Sequence, residues 1–415
     1  MSTHPASRAG TGTAWSAARA EEHLLGLELF GMRFGLERMR RLLTALGSPQ
    51  ERFAAIHVVG TNGKSSTVRM TAALLEAHGV RAGAFLSPHL TTFAERIRIG
   101  DADLEPAAFG AAIERAAAAA AKVDRGLEEG DRVTQFELVC AAAFDELARR
   151  RVQVAVVEAG LGGRHDATGV LGAPVVVLTN VGLEHTRWLG PTVQDIAREK
   201  LAVVAPGATL VLGEATPAVE ALARATGARI VRPAAVATGL PGFQATNFAV
   251  ACAAARELVG LLAALDPTTV AEVAARISVP GRLQVVGEAP LTILDGAHNP
   301  SGVAALVAAL PAREWTGVVS ILDDKDAAAM LRALLERCTR LICTAAPSPR
   351  ALPPATLASL AGQLGGAAEI VPDPRAAVAR AQALAGPEGA VIVCGSIYLV
   401  AELVSAPGAR RASAL

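Results

Sequence analysis

The sequence predicts an α/β protein with two domains: an N-terminal P-loop-type domain built on a parallel sheet, and a smaller C-terminal Rossmann-like domain. Short apolar runs alternate with helical patterns, which is typical of strands buried on both faces of a parallel sheet. A glycine-containing loop with a lysine and two serines follows the first such run. The alternation stops at residues 278–282 and then restarts, and 415 residues exceed one ordinary core.

The glycine-containing loop lies between a predicted strand at 56–59 and a predicted helix at 68–78. Gly60 and Gly63 permit a tight turn, in which backbone N–H groups and the helix N-terminus can face an anion. Lys64 can bridge outer phosphates, and Ser65 or Ser66 can reach a phosphate or metal, or simply cap the helix. Gly60 precedes Gly63 by three residues, so the spacing is not that of the general P-loop. The pattern favours nucleotide binding over an ordinary turn.

The rest of the first half predicts more strands and helices of the same sheet. Residues 1–20 are expected to be irregular. Strands are predicted at 82–86, 97–101 (an edge strand or hairpin), 154–157, 175–178 and 210–212, and helices at 24–46, 106–123, 134–151, 196–203 and 247–265. Thr134 and Glu137 have the spacing of a capping box at the start of the 134–151 helix. Ligands bind at the carboxyl ends of strands in such sheets. We therefore expect Ser87, Glu158 and His185, which follow strands, to lie near the phosphate loop.

The break at 278–282 sets the predicted domain boundary. Residues 1–278 form the predicted nucleotide-binding domain, and residues 279–415 form the predicted second domain. Strands there are predicted at 291–294, 317–322, 341–344 and 390–393, with helices beginning at Ser301 and Ala327.

The composition and charge of the chain argue against several classes of protein. The formal net charge is 0, which argues against a general nucleic-acid or membrane surface. The five cysteines are scattered and form no Cys-x-x-Cys pair, so neither a disulfide framework nor a zinc site is expected. Residues 1–20 lack the apolar core of a signal peptide, and no membrane-spanning apolar run is present. A reducing cytoplasm fits this composition, and we expect a cytoplasmic protein.

Taken together, these segments resemble the Mur ligase superfamily and, within it, the folylpolyglutamate synthase/dihydrofolate synthase family. The matching stretches occur in the family's order: GTNGKSS (60–66), LSPHL (86–90), QFE (135–137), EAGLGGRHDAT (158–168), GLEHTRWLG (182–190), REK (198–200), PGR (280–282), DGAHNP (295–300), DKD (324–326) and CGS (394–396). Ser65, Glu184 and His165 replace the family's usual glycine, aspartate and leucine. His165 lies near the expected pterin or substrate region, where it can alter selectivity.

The resemblance implies an ATP- and Mg²⁺-dependent amide ligase. It would add L-glutamate to dihydropteroate, to a reduced folate such as tetrahydrofolate, or to both, and the QFE stretch favours both. The carboxylate would first become an acyl phosphate, so catalysis would need positioning and charge neutralisation without a protein nucleophile. The family expectation is a monomer, and the use of a monovalent cation stays open.

The resemblance also assigns residues. The ATP site would contain Thr61, Asn62, Gly63, Lys64, Ser65, Ser66, Asn247, Arg282 and Asp295. Mg²⁺ would be bound by Ser87, Glu158 and His185. Catalysis would involve Lys64, a carbamylated Lys200, and His298, which would handle the incoming glutamate. The pteroate pocket would be lined by Thr134, Gln135, Phe136, Glu137, His165, Asp166 and Ala167.

Simpler explanations exist for several of these residues. Lys200 fits the solvated face of a helix, Phe136 fits core packing, and Glu158 fits a structural acid at a strand end. His185 and His298 fit ordinary hydrogen-bonding histidines.

Three other functions stay open at the level of the sequence. Ser65 is shared with other Mur-type ligases, which act on nucleotide-sugar peptides or amino-acid polymers. A nucleotide-binding switch or scaffold would need no ligase chemistry. A phosphotransferase would need no glutamate.

Overall fold

The computed structural model describes residues 14–27, 35–258 and 264–406, which contain two separate β-sheets. The first sheet is formed by β1 (Ala54–Val59), β2 (Ala82–Phe85), β3 (Ile97–Ile99), β4 (Ala102–Asp103), β5 (Val154–Glu158), β6 (Val175–Leu178), β7 (Thr209–Leu212) and β8 (Arg229–Val231). The second is formed by β9 (Gln284–Glu288), β10 (Leu291–Leu294), β11 (Trp315–Val319), β12 (Cys338–Cys343), β13 (Ala367–Ile370) and β14 (Ala390–Cys394).

Helices connect these strands. In the first half they are α1 (Ala17–Leu25), α2 (Glu37–Ala45), α3 (Lys64–Ala77), α4 (Pro106–Asp124), α5 (Gln135–Arg149), α6 (Thr186–Leu189), α7 (Val193–Leu201), α8 (Pro217–Ala225), α9 (Gly242–Glu257) and α10 (Pro267–Arg276). In the second half they are α11 (Pro300–Ala309), α12 (Ala327–Leu335), α13 (Pro354–Gln363), α14 (Pro374–Ala385) and α15 (Ile397–Val404).

The first sheet has the order β4-β3-β2-β5-β1-β6-β7-β8 and is parallel except for its β3–β4 hairpin edge. Alternate residues of its central strands enter different cores. Ile56 and Val156 pack with α3, α9 and α10 on one face, while Val157 packs with α4 and α5 on the other. Burial on both faces explains why these strands are apolar throughout. Polar side chains such as Glu158 and Thr179 occur at the carboxyl ends of these strands.

The second sheet has the order β13-β12-β11-β14-β10-β9, with only β9 antiparallel to its neighbour. Trp315 of β11 is fully buried and packs with Leu331 and Leu334 of α12. The predicted fold of two α/β domains with mostly parallel sheets is confirmed. The exact boundary at residue 279 stays a prediction.

The structure corrects three sequence predictions. The region 24–46 is not one helix: α1 ends at Leu25, and α2 begins at Glu37. The expected irregular segment 1–20 is helical from Ala17, because Ser16 caps the helix and Leu24 is buried; residues 1–13 lie outside the described ranges. The predicted helix 247–265 ends at Glu257. A separate helix, α10, then begins at Pro267, with the side chain of Asp266 as its N-cap. The alanine-rich composition of this region made the capping residue easy to miss in the sequence.

Within the described ranges, no helix is both long and apolar enough to cross a membrane.

Candidate active site

The loop between β1 and α3 forms a compact cradle. Gly63 has a φ of 83° and occupies the N-cap of α3, so the helix begins at Lys64 rather than at the predicted residue 68. A Cβ atom on Gly60 would lie 1.9 Å from Thr179 Oγ1, and one on Gly63 would lie 2.4 Å from Asn247 Oδ1. Glycine is therefore needed at both positions. The N–H groups of the first helical turn have no partners within the helix and suit an anion.

Two lysines converge on this loop. Lys64 Nζ donates to the carbonyl oxygens of Gly60 and Thr61, each at 3.1 Å. Lys200 Nζ, from α7, donates to the same Gly60 oxygen at 2.7 Å. Lys200 is buried, and burial together with the charge of Lys64 lowers its pKa to about 7. The interpretation of Lys200 as a solvated surface lysine is therefore excluded.

Glu158 brings two predicted metal-binding segments together at the end of β5. Its Oε1 accepts a hydrogen bond from Ser65 Oγ at 2.9 Å, and its Oε2 accepts one from the Ser87 backbone N–H group at 3.1 Å. Burial raises the pKa of Glu158, while Lys64 opposes that shift. The contact also gives Ser65, which replaces the family's usual glycine, a role in holding the carboxylate.

His298 and Glu184 face each other across the two domains. His298 Nδ1 donates to the Gly296 carbonyl oxygen at 2.8 Å, and its Nε2 lies 3.1 Å from Glu184 Oε1. Although burial opposes it, the hydrogen bond from His298 holds the pKa of Glu184 well below its usual value. His185 lies 3.8 Å from the same carboxylate oxygen, and desolvation lowers its pKa to about 4. His185 is thus neutral near pH 7, as a metal ligand must be.

With this geometry established, similarity to known proteins becomes informative. Residues 58–282 match the Mur ligase middle domain, and residues 281–397 match the Mur ligase glutamate ligase domain. A dihydrofolate synthase/folylpolyglutamate synthase of Mycobacterium tuberculosis is 34% identical, over 82% of this chain and 81% of that protein. The chain belongs to the folylpolyglutamate synthase/dihydrofolate synthase family.

Two further relatives of the family extend this comparison. A probable bifunctional folylpolyglutamate synthase/dihydropteroate synthase of Haloferax volcanii is 33% identical over 92% of this chain, which spans 49% of that longer protein. The crystal structure of a bifunctional folylpolyglutamate synthase/dihydrofolate synthase from Yersinia pestis, complexed with AMPPNP and Mn, superposes with a TM-score of 0.82. It is 30% identical, and the match covers 95% of this chain and 98% of that chain.

In the present chain, the residues that are predicted to contact ATP come from both domains. Asn62 lies in the phosphate loop, and Asn247 of α9 lies against Gly63. Arg282 is close enough for its charge to lower the pKa values of both Glu158 and Asp295, and burial raises both. Arg282 therefore lies at the junction of the two domains, as an interdomain contact to a nucleotide requires.

Asp295 has a clear structural task in its own domain. Its carboxylate accepts hydrogen bonds from the N–H groups of Leu283 and Ala297, each at 2.8 Å. It thus fixes the two chain segments around Arg282. A contact between Asp295 and the nucleotide stays a prediction.

The predicted pteroate-lining residues divide into two kinds. Thr134 and Glu137 form the predicted capping box of α5, Gln135 Nε2 donates to the Leu24 carbonyl oxygen at 2.7 Å, and Asp166 accepts from Leu161 N at 2.7 Å. The polar side chains of this first kind therefore form hydrogen bonds within the protein, and Ala167 is buried in the hydrophobic core.

The second kind consists of Phe136 and His165, whose side chains keep accessible surface. Phe136 packs beside Gly160. The lining role of the whole set stays a prediction.

The side chains suit a hard divalent cation near the phosphate loop. Glu158 and the hydroxyl of Ser65 supply oxygen atoms, and Ser66 Oγ is buried without a hydrogen-bond partner. His185 contacts the carboxylate of Glu184, whereas Ser87 contacts the carboxylate of Glu158. Across the described ranges, no three His, Cys, Asp or Glu side chains form a ready-made metal cluster. The Ser87, Glu158 and His185 ligand set stays a prediction.

Arg96 is a functional candidate that the sequence analysis missed. It is 2% exposed, its Nε donates to His89 Nδ1 at 2.9 Å, and its Nη2 is buried without a hydrogen-bond partner. Burial lowers its pKa to about 10, and the charges of Glu158 and Tyr398 oppose that shift. Tyr398 belongs to the second domain, so this guanidinium lies between the domains. In the sequence, Arg96 is a charged residue directly before the predicted edge strand at 97–101, which gave no signal of a site.

Proposed function

We propose that this chain is an ATP-dependent ligase that joins L-glutamate to dihydropteroate and to tetrahydrofolate through an acyl phosphate. One observation carries the proposal: a phosphate loop with two lysines and a buried carboxylate faces, across the domain junction, the domain that matches the glutamate ligase family. The relatives support both acceptor substrates, since the Mycobacterium tuberculosis protein is named for both activities.

The residues of the phosphate loop would bind and orient the triphosphate. The N–H groups at the start of α3 and the ammonium group of Lys64 would meet the charge that spreads over phosphoryl oxygens in the transition state. Mg²⁺, held by Glu158 with nearby hydroxyl groups, would neutralise part of the same charge. Support comes from the Yersinia pestis relative, which was crystallised with an ATP analogue and Mn.

Lys200 would add a negative charge to this site if its amine were carbamylated. Only a neutral amine reacts with carbon dioxide, and a pKa of about 7 leaves a large neutral fraction at physiological pH. Its hydrogen bond to the Gly60 carbonyl oxygen already places the amine beside the phosphate loop. Mass spectrometry of the native protein, with and without bicarbonate, tests the modification.

Arg96 and His298 would receive the incoming glutamate. A buried guanidinium nitrogen without a partner is costly unless an anion meets it, and a carboxylate matches its geometry. Tyr398 of the second domain is close enough to influence the pKa of Arg96, so this guanidinium lies at the junction of the domains. The amino group of glutamate would then be held so that it can attack the acyl phosphate.

The relatives of this chain weaken the main competing function. Ser65 supported a ligase for nucleotide-sugar peptides or amino-acid polymers, but the similar proteins are named as dihydrofolate synthases and folylpolyglutamate synthases. The nucleotide-switch and phosphotransferase alternatives leave the glutamate ligase domain match unexplained.

ADP release and product mass test the proposal directly. Reactions contain ATP, Mg²⁺ and glutamate, with either dihydropteroate or tetrahydrofolate as acceptor. A glutamate-sized mass gain on both acceptors supports the bifunctional enzyme, and a gain on one restricts it to that activity. ADP release without a mass gain on either acceptor would overturn the assignment.

The remaining expectations concern the protein in its cell. We propose a cytoplasmic monomer without nucleic-acid or membrane partners. The formal net charge of 0 supports the absence of nucleic-acid and membrane partners. Light scattering during size-exclusion chromatography tests the monomer, and a dimeric mass would contradict it.

A further inference from the structure

Glu184 and Asn299 join the two domains beside the active site, although the sequence analysis gave neither a role. Asn299 Nδ2 donates to Asn62 Oδ1 at 3.0 Å and to Glu184 Oε1 at 3.3 Å. Asn62 Nδ2 donates back to Asn299 Oδ1 at 3.3 Å and to Ser301 Oγ at 3.0 Å. With the contact between His298 and Glu184, these five side chains form what we call the interdomain clasp.

Two members of the clasp, Asn299 and the Glu184 side chain, are buried, whereas Asn62 and His298 are partly exposed and Ser301 is exposed. Asn299 is 2% exposed, and the Glu184 side chain is 7% exposed. Buried polar groups lose stability when their partners are removed, and here the partners come from the opposite domain. Separation of the domains would therefore break several bonds together. The arrangement favours one relative position of the two domains.

The clasp connects two parts of the proposed site. Asn62 belongs to the phosphate loop, and His298 follows β10 in the domain proposed to receive glutamate. The same Glu184 oxygen meets both His298 and Asn299. A shift of either domain would consequently move the phosphate loop and His298 relative to each other.

We propose that Glu184 and Asn299 are positioning residues that hold the domains in register, so that the phosphate loop and His298 act on one substrate assembly. The inference rests on the proposed function, because it concerns glutamate use. When the competent arrangement is only partly populated, the apparent affinity falls in proportion. Loss of the clasp should therefore raise the KM for glutamate more than it lowers kcat.

Asn299→Asp is the sharpest variant. Asn299 Oδ1 caps α11 by accepting from the Gly302 N–H group at 2.7 Å, and aspartate keeps a capping oxygen. Aspartate has no N–H group for Asn62 or Glu184, and it sets a second carboxylate beside Glu184. The matched control is Asp373→Asn, which makes the reverse exchange at the cap of α14, where the side chain accepts from Ala376 N at 2.7 Å.

Glu184→Gln and Glu184→Asp complete the series. Glutamine keeps the length of the side chain but loses its charge toward His298. Aspartate keeps the charge but shortens the reach by one methylene. We expect both to weaken the clasp, because the bonds to His298 and Asn299 depend on a charged oxygen at this distance.

The experiment combines domain distances with kinetics. Spin labels are placed on cysteines introduced at Glu272 of α10 and Arg332 of α12, which are exposed, whereas the five native cysteines are buried. With Mg²⁺ and a non-hydrolysable ATP analogue, the parent and Asp373→Asn should give one narrow distance distribution. Asn299→Asp and Glu184→Gln should give a broader one and raise the KM for glutamate at least about tenfold, equivalent to about 1.4 kcal/mol.

Unchanged distances together with an unchanged KM in both variants would overturn the proposal. Urea unfolding separates positioning from simple instability, because it shows whether Asn299→Asp and Asp373→Asn are both fully folded under the conditions in which the KM is measured. If the parent shows no glutamate-dependent ADP release, the proposed function fails, but the distance distributions still decide whether the clasp holds the domains.

Discussion

The buried carboxylate of Glu158 has neighbours that shift its pKa in opposite directions. Burial raises its pKa, while Lys64, the Ser87 N–H group and the Ser65 hydroxyl stabilise the charged form. Its sequence position, at the end of an apolar strand, was enough to predict that it lies near the phosphate loop, because parallel strands end at one edge. The individual hydrogen bonds could not be predicted, since the bond to Ser65 joins positions 93 residues apart and depends on side-chain geometry. The same limit hid Arg96, whose neighbours come from two domains.

Glu158→Gln should lower turnover at least about 100-fold, because glutamine cannot balance the positive charges around the phosphate loop. Initial rates of ADP release measure this. Glu199→Gln is the matched control, since Glu199 forms a partly exposed ion pair with Arg164 and should leave the rate nearly unchanged. Equal rates for both variants would remove Glu158 from the proposed site.

Arg96→Lys should raise the KM for glutamate about tenfold or more, because lysine cannot offer the two parallel donors of a guanidinium to a carboxylate. Steady-state kinetics with varied glutamate measure the effect. Arg98→Lys serves as control, since Arg98 pairs with Asp103 at the hairpin edge. A KM for glutamate equal to that of the parent would show that Arg96 does not contact glutamate.

Lys200 should make stability depend on pH. Its folded pKa of about 7 lies below its ordinary value of 10.5, so between these limits the unfolded chain holds a proton that the folded protein lacks. Stability therefore rises with pH across this window, and the full penalty applies below about pH 7. In carbon-dioxide-free buffer, the unfolding free energy of the parent should increase as the pH is raised from about 7 toward 10.5, and it should increase more than that of Lys200→Met. Parallel pH profiles would contradict this assignment.

Helix α5 shows what can be predicted for an element. The capping box of Thr134 and Glu137 was predicted from their spacing and is confirmed, because both residues belong to the same turn. Glu137 also pairs with Arg38 at 3.2 Å, across 99 residues of sequence and with both side chains buried. Local capping was therefore predictable, but the attachment of α2 to α5 was not. The division of 24–46 into two helices was missed for a similar reason.

Glu137→Ala should destabilise the protein by about 3 kcal/mol, since it removes a cap and leaves Arg38 with only part of its ion pairing. Thr134→Ala should cost about 1 kcal/mol. Urea unfolding measures both. Glu220→Ala, which removes the partner of Arg232 on α8, should cost less than about 0.5 kcal/mol. A similar cost for Glu137→Ala and Glu220→Ala would contradict the structural role of Glu137.

At the scale of the whole molecule, two sheets bring their polar edges together. The strand pattern predicted the central strands of both sheets, because burial on two faces leaves continuous apolar runs. It missed the edge strands β8, β9 and β13, whose residues are mostly partly exposed or exposed. It could not predict how the domains meet, since the clasp between Asn62 and Asn299 joins positions 237 residues apart. The central claim is that this junction unites phosphoryl transfer with glutamate addition.

Transfer of heavy oxygen from the acceptor carboxylate tests that claim most directly. Dihydropteroate labelled with heavy oxygen in its carboxylate is incubated with ATP, Mg²⁺, glutamate and the parent protein. If the carboxylate attacks the terminal phosphate, one labelled oxygen should appear in inorganic phosphate for each glutamylated product. Glutamylated product with unlabelled phosphate, or ADP release without glutamylated product, would contradict the account.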